Sequence, residues 1–196
     1  MDRSKRKGSS VYEKSKLLAE GAAWKFIKKE GGDLEFTTIN LVAIFGPALN
    51  AHISGGFVIL ERLLSGKASP HISLNIVDVR DVADLHILAM TNPNANGNRF
   101  IASADGQISM SKIATLLRNK YPDVAKMVSI KAIPNGFIYF AALFNKQMKE
   151  VALLLSMSRN VSNAKAKKIL GWKPIANEAT RNRAVWLYVK YLNGVK

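Results

Sequence analysis

A chain of 196 residues is long enough to bury a sizeable core, and 48% hydrophobic with 22% charged residues is the composition of a folded protein. The absence of cysteine excludes disulfides, thiolate catalysis and cysteine-based metal sites. The formal net charge of +15 would suit a nucleic-acid partner, but the basic residues are scattered and form no stripe with aromatic residues, so we expect no such partner.

The densest basic cluster, Arg3 to Lys7, lies in residues 1–10, which we interpret as a solvated N-terminal tail. The longest apolar stretches are shorter than the roughly 20 residues that a membrane helix needs, and no apolar signal core follows the tail. The sequence therefore predicts a soluble, cytoplasmic chain without a membrane partner.

The first predicted elements are a helix and a buried strand. Apolar residues recur at roughly helical spacing from Val11 to Glu30, and two glycines then end the helix. The segment from Leu34 to Phe45 is rich in Thr, Ile, Val and Phe and is almost continuously apolar from Ile39 onwards. This pattern predicts a strand buried on both faces, as in parallel sheets.

The middle of the chain is predicted to form a helix, a strand and a capped helix. The helix covers Phe57 to Leu64 and the strand Ile72 to Val77. Asp78 should cap the following helix, because its carboxylate can accept N–H bonds from the first turn. We interpret three charged neighbours as mutually compensating charges at this cap rather than as a catalytic acid cluster: Arg80, Asp81 and Asp84.

The last part of the chain is predicted to be mostly helical. A strand over Arg99 to Ser103 is followed by a helix over Met110 to Lys120, which Ser109 opens and Tyr121 and Pro122 end. The remaining predictions are one long helix or a pair over Phe137 to Met157, a short helix over Ala164 to Leu170 ended by Gly171, and a terminal amphipathic helix over Glu178 to Leu192.

Two groups of residues could be mistaken for sites. The three histidines, His52, His71 and His86, are far apart with no carboxylate at ligand spacing, so no metal site is expected. Methionines and aromatics near the C-terminus could line an apolar substrate pocket, but packing in the core is the preferred interpretation: Met127, Phe137, Tyr139, Phe140, Phe144, Met148 and Met157.

The strongest candidate for catalysis is the pair Tyr12 and Lys16. Residues four apart project from the same helix face. A tyrosine with an ordinary pKa of about 10 is a poor acid or base at neutral pH, and a nearby ammonium favours the phenolate. Tyr12 could then transfer a proton to or from a substrate oxygen. Taken alone, such a pair is more often an ordinary exposed pair on a helix.

The segments that follow this pair give it a context. They are the strand and turn of residues 38–47, the acidic strand end of residues 75–83, the later strand of residues 98–103, and the closing segment of residues 166–174. In this order and spacing, they are similar to the motifs of the extended short-chain dehydrogenase/reductases. Within that superfamily the chain most resembles the dihydroflavonol and cinnamoyl reductases and their microbial aldehyde and ketone reductase relatives.

This resemblance implies an α/β fold for residues 11–196: the C-terminal part of a doubly wound Rossmann-type fold plus the smaller substrate-binding domain. It implies an NAD- or NADP-dependent reductase that acts on a small carbonyl compound. Tyr12 would protonate the carbonyl oxygen, and Lys16 would lower the pKa of the tyrosine and bind the nicotinamide ribose. The segment Leu41, Val42, Ala43 and Ile44 would touch the nicotinamide carboxamide, although the family usually has proline where Leu41 stands.

Other parts of the family pattern do not occur in this sequence. Only eleven residues precede Tyr12, and none of the 13 glycines forms the glycine-rich turn that binds pyrophosphate in this family. The upstream Ser or Thr of the catalytic set and the residue that selects NAD or NADP are missing as well. We therefore expect this isolated chain to be catalytically incompetent.

Two alternatives remain open from the sequence. One is a nucleotide-sugar epimerase or dehydratase of the same superfamily, which shares the Tyr/Lys pair. The other is a noncatalytic remnant, such as a basic binding or scaffold protein.

Overall fold

A computed structural model describes residues 11–46 and 55–175 of the chain. Within them the helices are α1 (Val11–Glu30), α2 (Gly55–Leu64), α3 (Val79–Thr91), α4 (Met110–Lys120), α5 (Asn135–Ala141), α6 (Lys146–Ser156) and α7 (Ala164–Leu170), with a 3₁₀ turn at Pro93–Ala95. The strands are β1 (Thr38–Leu41), β2 (Ala43–Phe45), β3 (Ser69–Pro70), β4 (Ser73–Leu74), β5 (Ile76–Asp78), β6 (Arg99–Ala102), β7 (Ile108–Ser109) and β8 (Ala132–Ile133). The basic tail and the helix predicted over residues 178–192 lie outside the described residues.

The strands form parallel pairs where the candidate site lies. β1 pairs with β6, from Thr38 opposite Arg99 to Leu41 opposite Ala102, and β2 pairs in parallel with β5. β3 and β8 form another parallel pair, and β4 with β7 an antiparallel one. Parallel strands joined through helices are the arrangement expected of an α/β fold.

The single strand predicted over residues 34–45 is wrong in detail, because two strands lie there. The chain changes partner at Val42: its N–H donates to the carbonyl of Ala102 at 3.3 Å, whereas the next N–H, of Ala43, donates to the carbonyl of Asn75 at 3.3 Å. β1 therefore belongs to the pair with β6, and β2 to the pair with β5. The almost continuous run of apolar residues could not reveal this change of partner, since apolar residues occur in both β1 and β2.

The hydrophobic core consists of two clusters on opposite faces of the β2–β5 pair. Ile76 packs into the first cluster, with α2 and α4, and its neighbour Val77 packs into the second, with α3, β6 and α7. Alternation of side chains along a strand explains this division. Trp172 joins the closing segment to the second cluster, where its indole N–H donates to the carbonyl of Asp81 at 2.9 Å.

The predicted burial of this strand on both faces is wrong for β1. Its first three residues are half-buried and Leu41 is 46% exposed. Within the described residues β1 pairs with β6 alone, and α1 contributes no buried residue to the core. The apolar surface of β1 is consequently left partly open beside α1.

The helix ends predicted from capping residues are largely confirmed. Asp78 caps α3, accepting the N–H of Arg80 at 3.0 Å, and its carboxylate also accepts both Nε and Nη2 of Arg80 at 2.8 and 2.6 Å. This ion pair raises the pKa of Arg80. Ser109 caps α4, and Gly171 ends α7 in the left-handed conformation with φ of 66°.

The charges of Asp81 and Arg80 interact favourably, as predicted for this cap, but Asp81 also has a structural role that the sequence did not predict. Asp81 is buried, and its carboxylate accepts the backbone N–H of Ile175 at 2.8 Å. Burial raises the pKa of this carboxyl, because a low-dielectric environment disfavours the charged form. Asp81 therefore anchors the closing segment of the described chain to α3.

The aromatic residues of α5 and its neighbourhood do not pack in the core, contrary to the prediction. α5 and α6 form the predicted helix pair, and each contributes a single buried residue, Ile138 and Ala152. Because each helix has a single buried position, most large side chains of α5 and α6 lie outside the hydrophobic core. Exposed residues of the predicted core set are Met127, Phe137, Tyr139, Phe140 and Phe144, whereas Met148 and Met157 are half-buried.

Candidate active site

The first two turns of α1 carry the predicted catalytic pair on one face. Lys16 Nζ lies 5.5 Å from the centroid of the Tyr12 ring, within the range of a cation–π contact. Tyr12 is 69% exposed, and Ser15 Oγ donates a hydrogen bond to its backbone carbonyl at 2.8 Å. The pair is thus formed by local helix geometry, and the phenol is accessible to another molecule.

An open cavity of about 720 Å³ lies between α1 and β1. Tyr12 and Lys16 line it from the helix, and Leu41 lines it from the end of the strand. The structure therefore brings three of the six predicted site residues to one cavity. Its size falls within the range of ordinary small-molecule sites.

The other three predicted site residues, Val42, Ala43 and Ile44, continue the chain beyond this cavity. All three are half-buried. Val42 and Ile44 pack against the second core cluster and Ala43 packs against the first. The N–H groups of Val42 and Ala43 are already engaged with the carbonyls of Ala102 and Asn75. Strand pairing therefore holds the backbone of this segment next to Leu41.

A polar cluster that the sequence did not predict lines the same cavity. Glu20, one turn beyond Lys16 on α1, accepts Nε of Arg99 at 2.6 Å and Nη2 of Arg99 at 3.3 Å. The same carboxylate accepts the Thr38 hydroxyl at 3.1 Å and the Asn40 amide at 3.5 Å. Arg99 Nη2 also donates to Asn40 Oδ1 at 3.0 Å. We call these four residues the Glu20 cluster.

The ionised form of Glu20 is favoured in this environment. The hydrogen bonds from Arg99 are the main reason why the pKa of Glu20 is lowered, and partial burial opposes them. The Glu20 side chain is 18% exposed and that of Arg99 47%. Of the four residues, Glu20 could have been found from the sequence, because it follows Tyr12 and Lys16 at the same interval of four residues. Arg99 is 79 residues away from Glu20, and no local pattern connects the two.

Residues 11–46 and 55–175 contain no group of three or more His, Cys, Asp or Glu side chains that could hold a metal ion. The helices described there are all too short or too polar to cross a membrane.

Comparison with known sequences shows that the chain is similar to reductases. No family model matches the chain. The chain is 34% identical over 119 residues to a cinnamoyl-CoA reductase of Medicago truncatula, covering 60% of this chain and 35% of that protein. It is 27% identical over 174 residues to the NADPH-dependent methylglyoxal reductase of Saccharomyces cerevisiae, covering 84% of this chain and 46% of that protein.

The homologues of this chain are reductases of the short-chain dehydrogenase/reductase superfamily. The chain spans less than half the length of either of these relatives. Solved structures agree: Gre2 from Candida albicans, determined as a complex with NADPH, superposes with a TM-score of 0.67 at 25% identity, over 91% of this chain and 51% of that one.

The predicted Rossmann-type α/β fold class is confirmed by these neighbours. A UDP-glucose 4-epimerase from Thermotoga maritima also superposes, with a TM-score of 0.61 over 92% of this chain and 53% of that one. At 19% identity, this likeness concerns the fold alone. The fold by itself is shared by reductases and epimerases and does not choose between them.

Proposed function

We propose that this chain forms the catalytic C-terminal part of an NAD(P)-dependent reductase that reduces the carbonyl group of an aldehyde or ketone. The observation that carries the proposal is the Tyr12/Lys16 pair on an open cavity lined also by Leu41. The reductases among its homologues supply the reaction class. The names of two relatives, a cinnamoyl-CoA reductase and a methylglyoxal reductase, suggest small carbonyl compounds as substrates.

In this proposal Tyr12 is the proton donor. When hydride adds to a carbonyl carbon, the oxygen develops negative charge and must receive a proton. Tyr12 is 69% exposed and lines the cavity, so a substrate oxygen can approach its side chain. Lys16 Nζ lies 5.5 Å from the centroid of the Tyr12 ring, so a positive charge accompanies the proton donor on the same face of α1.

The residues around the cavity suit the nicotinamide end of a dinucleotide. The Lys16 ammonium can donate to ribose hydroxyls, and the backbone next to Leu41 is held in place by strand pairing. The cofactor would supply the hydride. The chain has no matching glycine motif for the pyrophosphate, since none of its 13 glycines lies in a dinucleotide-binding pattern. The fit therefore covers the nicotinamide end only.

An epimerase or dehydratase reaction is the second candidate, because the Tyr/Lys pair and the fold would serve it too. The curated relatives reported above are reductases, which is why reduction is preferred. Product analysis separates the two, since an epimerase changes a stereocentre of a nucleotide sugar without net consumption of NADPH.

The proposal is tested by replacing Tyr12 in an active enzyme. A nucleotide-binding half taken from a homologue is joined ahead of Val11, and NADPH oxidation is followed with a panel of aldehydes and ketones. Tyr12→Phe removes the proton donor and keeps the ring, so we expect kcat to fall by about 10² to 10⁴. Lys16→Met should lower kcat and weaken cofactor binding together.

Lys14→Met is the matched control. Lys14 is exposed and lies two residues from both Tyr12 and Lys16, so it projects from another side of α1. The change should leave kcat within about twofold of the parent fusion. Retention of most of the activity by Tyr12→Phe would show that Tyr12 is not the proton donor.

A further inference from the structure

The position of α1 depends on side-chain contacts at its surface. Although α1 is 20 residues long, none of its residues is buried. Near its C-terminal end, the ring of Trp24 packs edge-on against Phe36 at 4.7 Å between centroids. Closer to Tyr12 and Lys16, the helix is joined to β1 and β6 through Glu20. Among the described residues, the helix that carries the catalytic pair therefore has little of the apolar anchoring that usually fixes a helix.

The Glu20 cluster has the geometry of a specific anchor. An isolated exposed ion pair contributes little, because two flexible side chains must be ordered in high dielectric. Here the carboxylate is largely shielded, both of its oxygens accept bonds from one guanidinium, and two further donors come from β1. Such multiply bonded arginine–carboxylate contacts define orientation as well as distance.

The placement of the cluster connects it to the catalytic pair. Tyr12, Lys16 and Glu20 lie on one face of α1 at successive intervals of four residues. Arg99 is the first residue of β6 and pairs with Thr38 at the start of β1. Since β1 ends at Leu41, the cluster connects the catalytic face of the helix to the same strand that brings Leu41 to the cavity.

We propose that Glu20 and Arg99 are positioning residues, whose ion pair holds the face of α1 bearing Tyr12 and Lys16 towards the cavity beside Leu41. This inference rests on the proposed function, since it assigns the ion pair to the alignment of the proton donor. Tyr12 lies eight residues from Glu20, or about 12 Å along the helix axis. A small tilt or rotation at Glu20 is therefore enlarged at Tyr12, and displacements of about 1 Å are costly to catalysis.

The first measurement uses the 196-residue chain. Because it contains no cysteine, two introduced cysteines can be spin-labelled cleanly. Lys14→Cys reports α1, and Lys168→Cys reports α7, which packs on β6. Glu20→Gln should broaden or shift the distribution of distances between the two labels, and Arg99→Met should do the same. The double variant should give the same distribution as either single variant. Glu30→Gln, on the exposed end of α1, is the control and should match the parent.

The second measurement uses the active fusion described above. Glu20→Gln should lower kcat by about tenfold or more while the KM for the carbonyl substrate stays within about twofold, because alignment of the proton donor is disturbed rather than substrate binding. The far-UV circular dichroism spectrum checks that the variant is folded. A purely structural role would leave kcat per folded molecule unchanged.

The outcomes separate this inference from the proposed function. If Tyr12→Phe is damaging but Glu20→Gln leaves kcat unchanged, the positioning role is wrong and the proposed function stands. If Tyr12→Phe is harmless, the proposed function fails, and with it the catalytic meaning of the ion pair. An unchanged distance distribution in both single variants overturns the positioning role on its own.

Discussion

Glu20 on α1 makes its hydrogen bonds with residues that are distant in the sequence. Its carboxylate accepts hydrogen bonds from Arg99 on β6 and from Thr38 and Asn40 on β1. The hydrogen bonds from Arg99 lower its pKa below the ordinary value of 4.5. The carboxylate is therefore stabilised in the folded chain relative to the unfolded one.

A pH dependence follows at this residue scale. An acid whose pKa is lower in the folded state adds stability above its unfolded value, here near 4.5, and loses it as the pH falls through the folded value. The parent chain should be more stable than Glu20→Gln at neutral pH, and the difference should shrink progressively below pH 4.5. Urea unfolding at several pH values measures it. A difference that persists or grows in acid would contradict the ionic role of Glu20, and Glu30→Gln serves as the control.

At the scale of elements, two glycines differ in backbone conformation and can be compared as a matched pair. Gly21 lies in the interior of α1, and Gly171 caps α7 with φ of +66°. A Cβ added at either position would meet no atom within 4 Å, so packing does not decide the outcome. Backbone conformation alone distinguishes the two positions.

Alanine substitution should therefore have opposite effects at these glycines. Gly21→Ala should stabilise α1 by up to about 1 kcal/mol, because alanine is the better helix former. Gly171→Ala should destabilise the chain by about 1–2 kcal/mol, because a Cβ is unfavourable in the left-handed conformation. Far-UV circular dichroism during urea unfolding gives both values. The same sign at the two positions would mean that packing, and not the backbone, dominates.

At the scale of the whole molecule, the described residues leave part of their apolar surface outside the core. The cavity between α1 and β1, the exposed Leu41 and the aromatic side chains of α5 all lie outside the two core clusters. The Rossmann-type reductases to which it is similar are about twice as long. The described residues bring Tyr12, Lys16 and Leu41 to one cavity, and none of the 13 glycines lies in a dinucleotide-binding pattern.

Weak cofactor binding by the 196-residue chain is the corresponding prediction. Lys16 and Leu41, which we propose to contact the nicotinamide end, line the cavity, but the chain contains no glycine-rich turn for the pyrophosphate. Calorimetry with NADPH and NADH should give dissociation constants well above the micromolar range. A low micromolar constant, equivalent to about 8 kcal/mol, would show that this chain holds a dinucleotide by other means.

Local sequence determined the helices and their ends. The helix over Val11–Glu30 and the helix over Ala164–Leu170 have the predicted bounds, and Asp78, Ser109 and Gly171 cap as expected. The spacing of Tyr12 and Lys16 likewise sufficed to place them together. These features depend on hydrogen bonds and side-chain spacing within a few residues, which the sequence displays directly.

Tertiary structure alone decided which surfaces meet. The change of partner at Val42, the burial of Asp81 and the exposure of the aromatic residues of α5 all depend on segments far apart in sequence. The contact of Glu20 with Arg99 spans 79 residues and has no periodicity or composition of its own. Such contacts form only when two elements are brought together by the packing of others, so no local pattern could have predicted them.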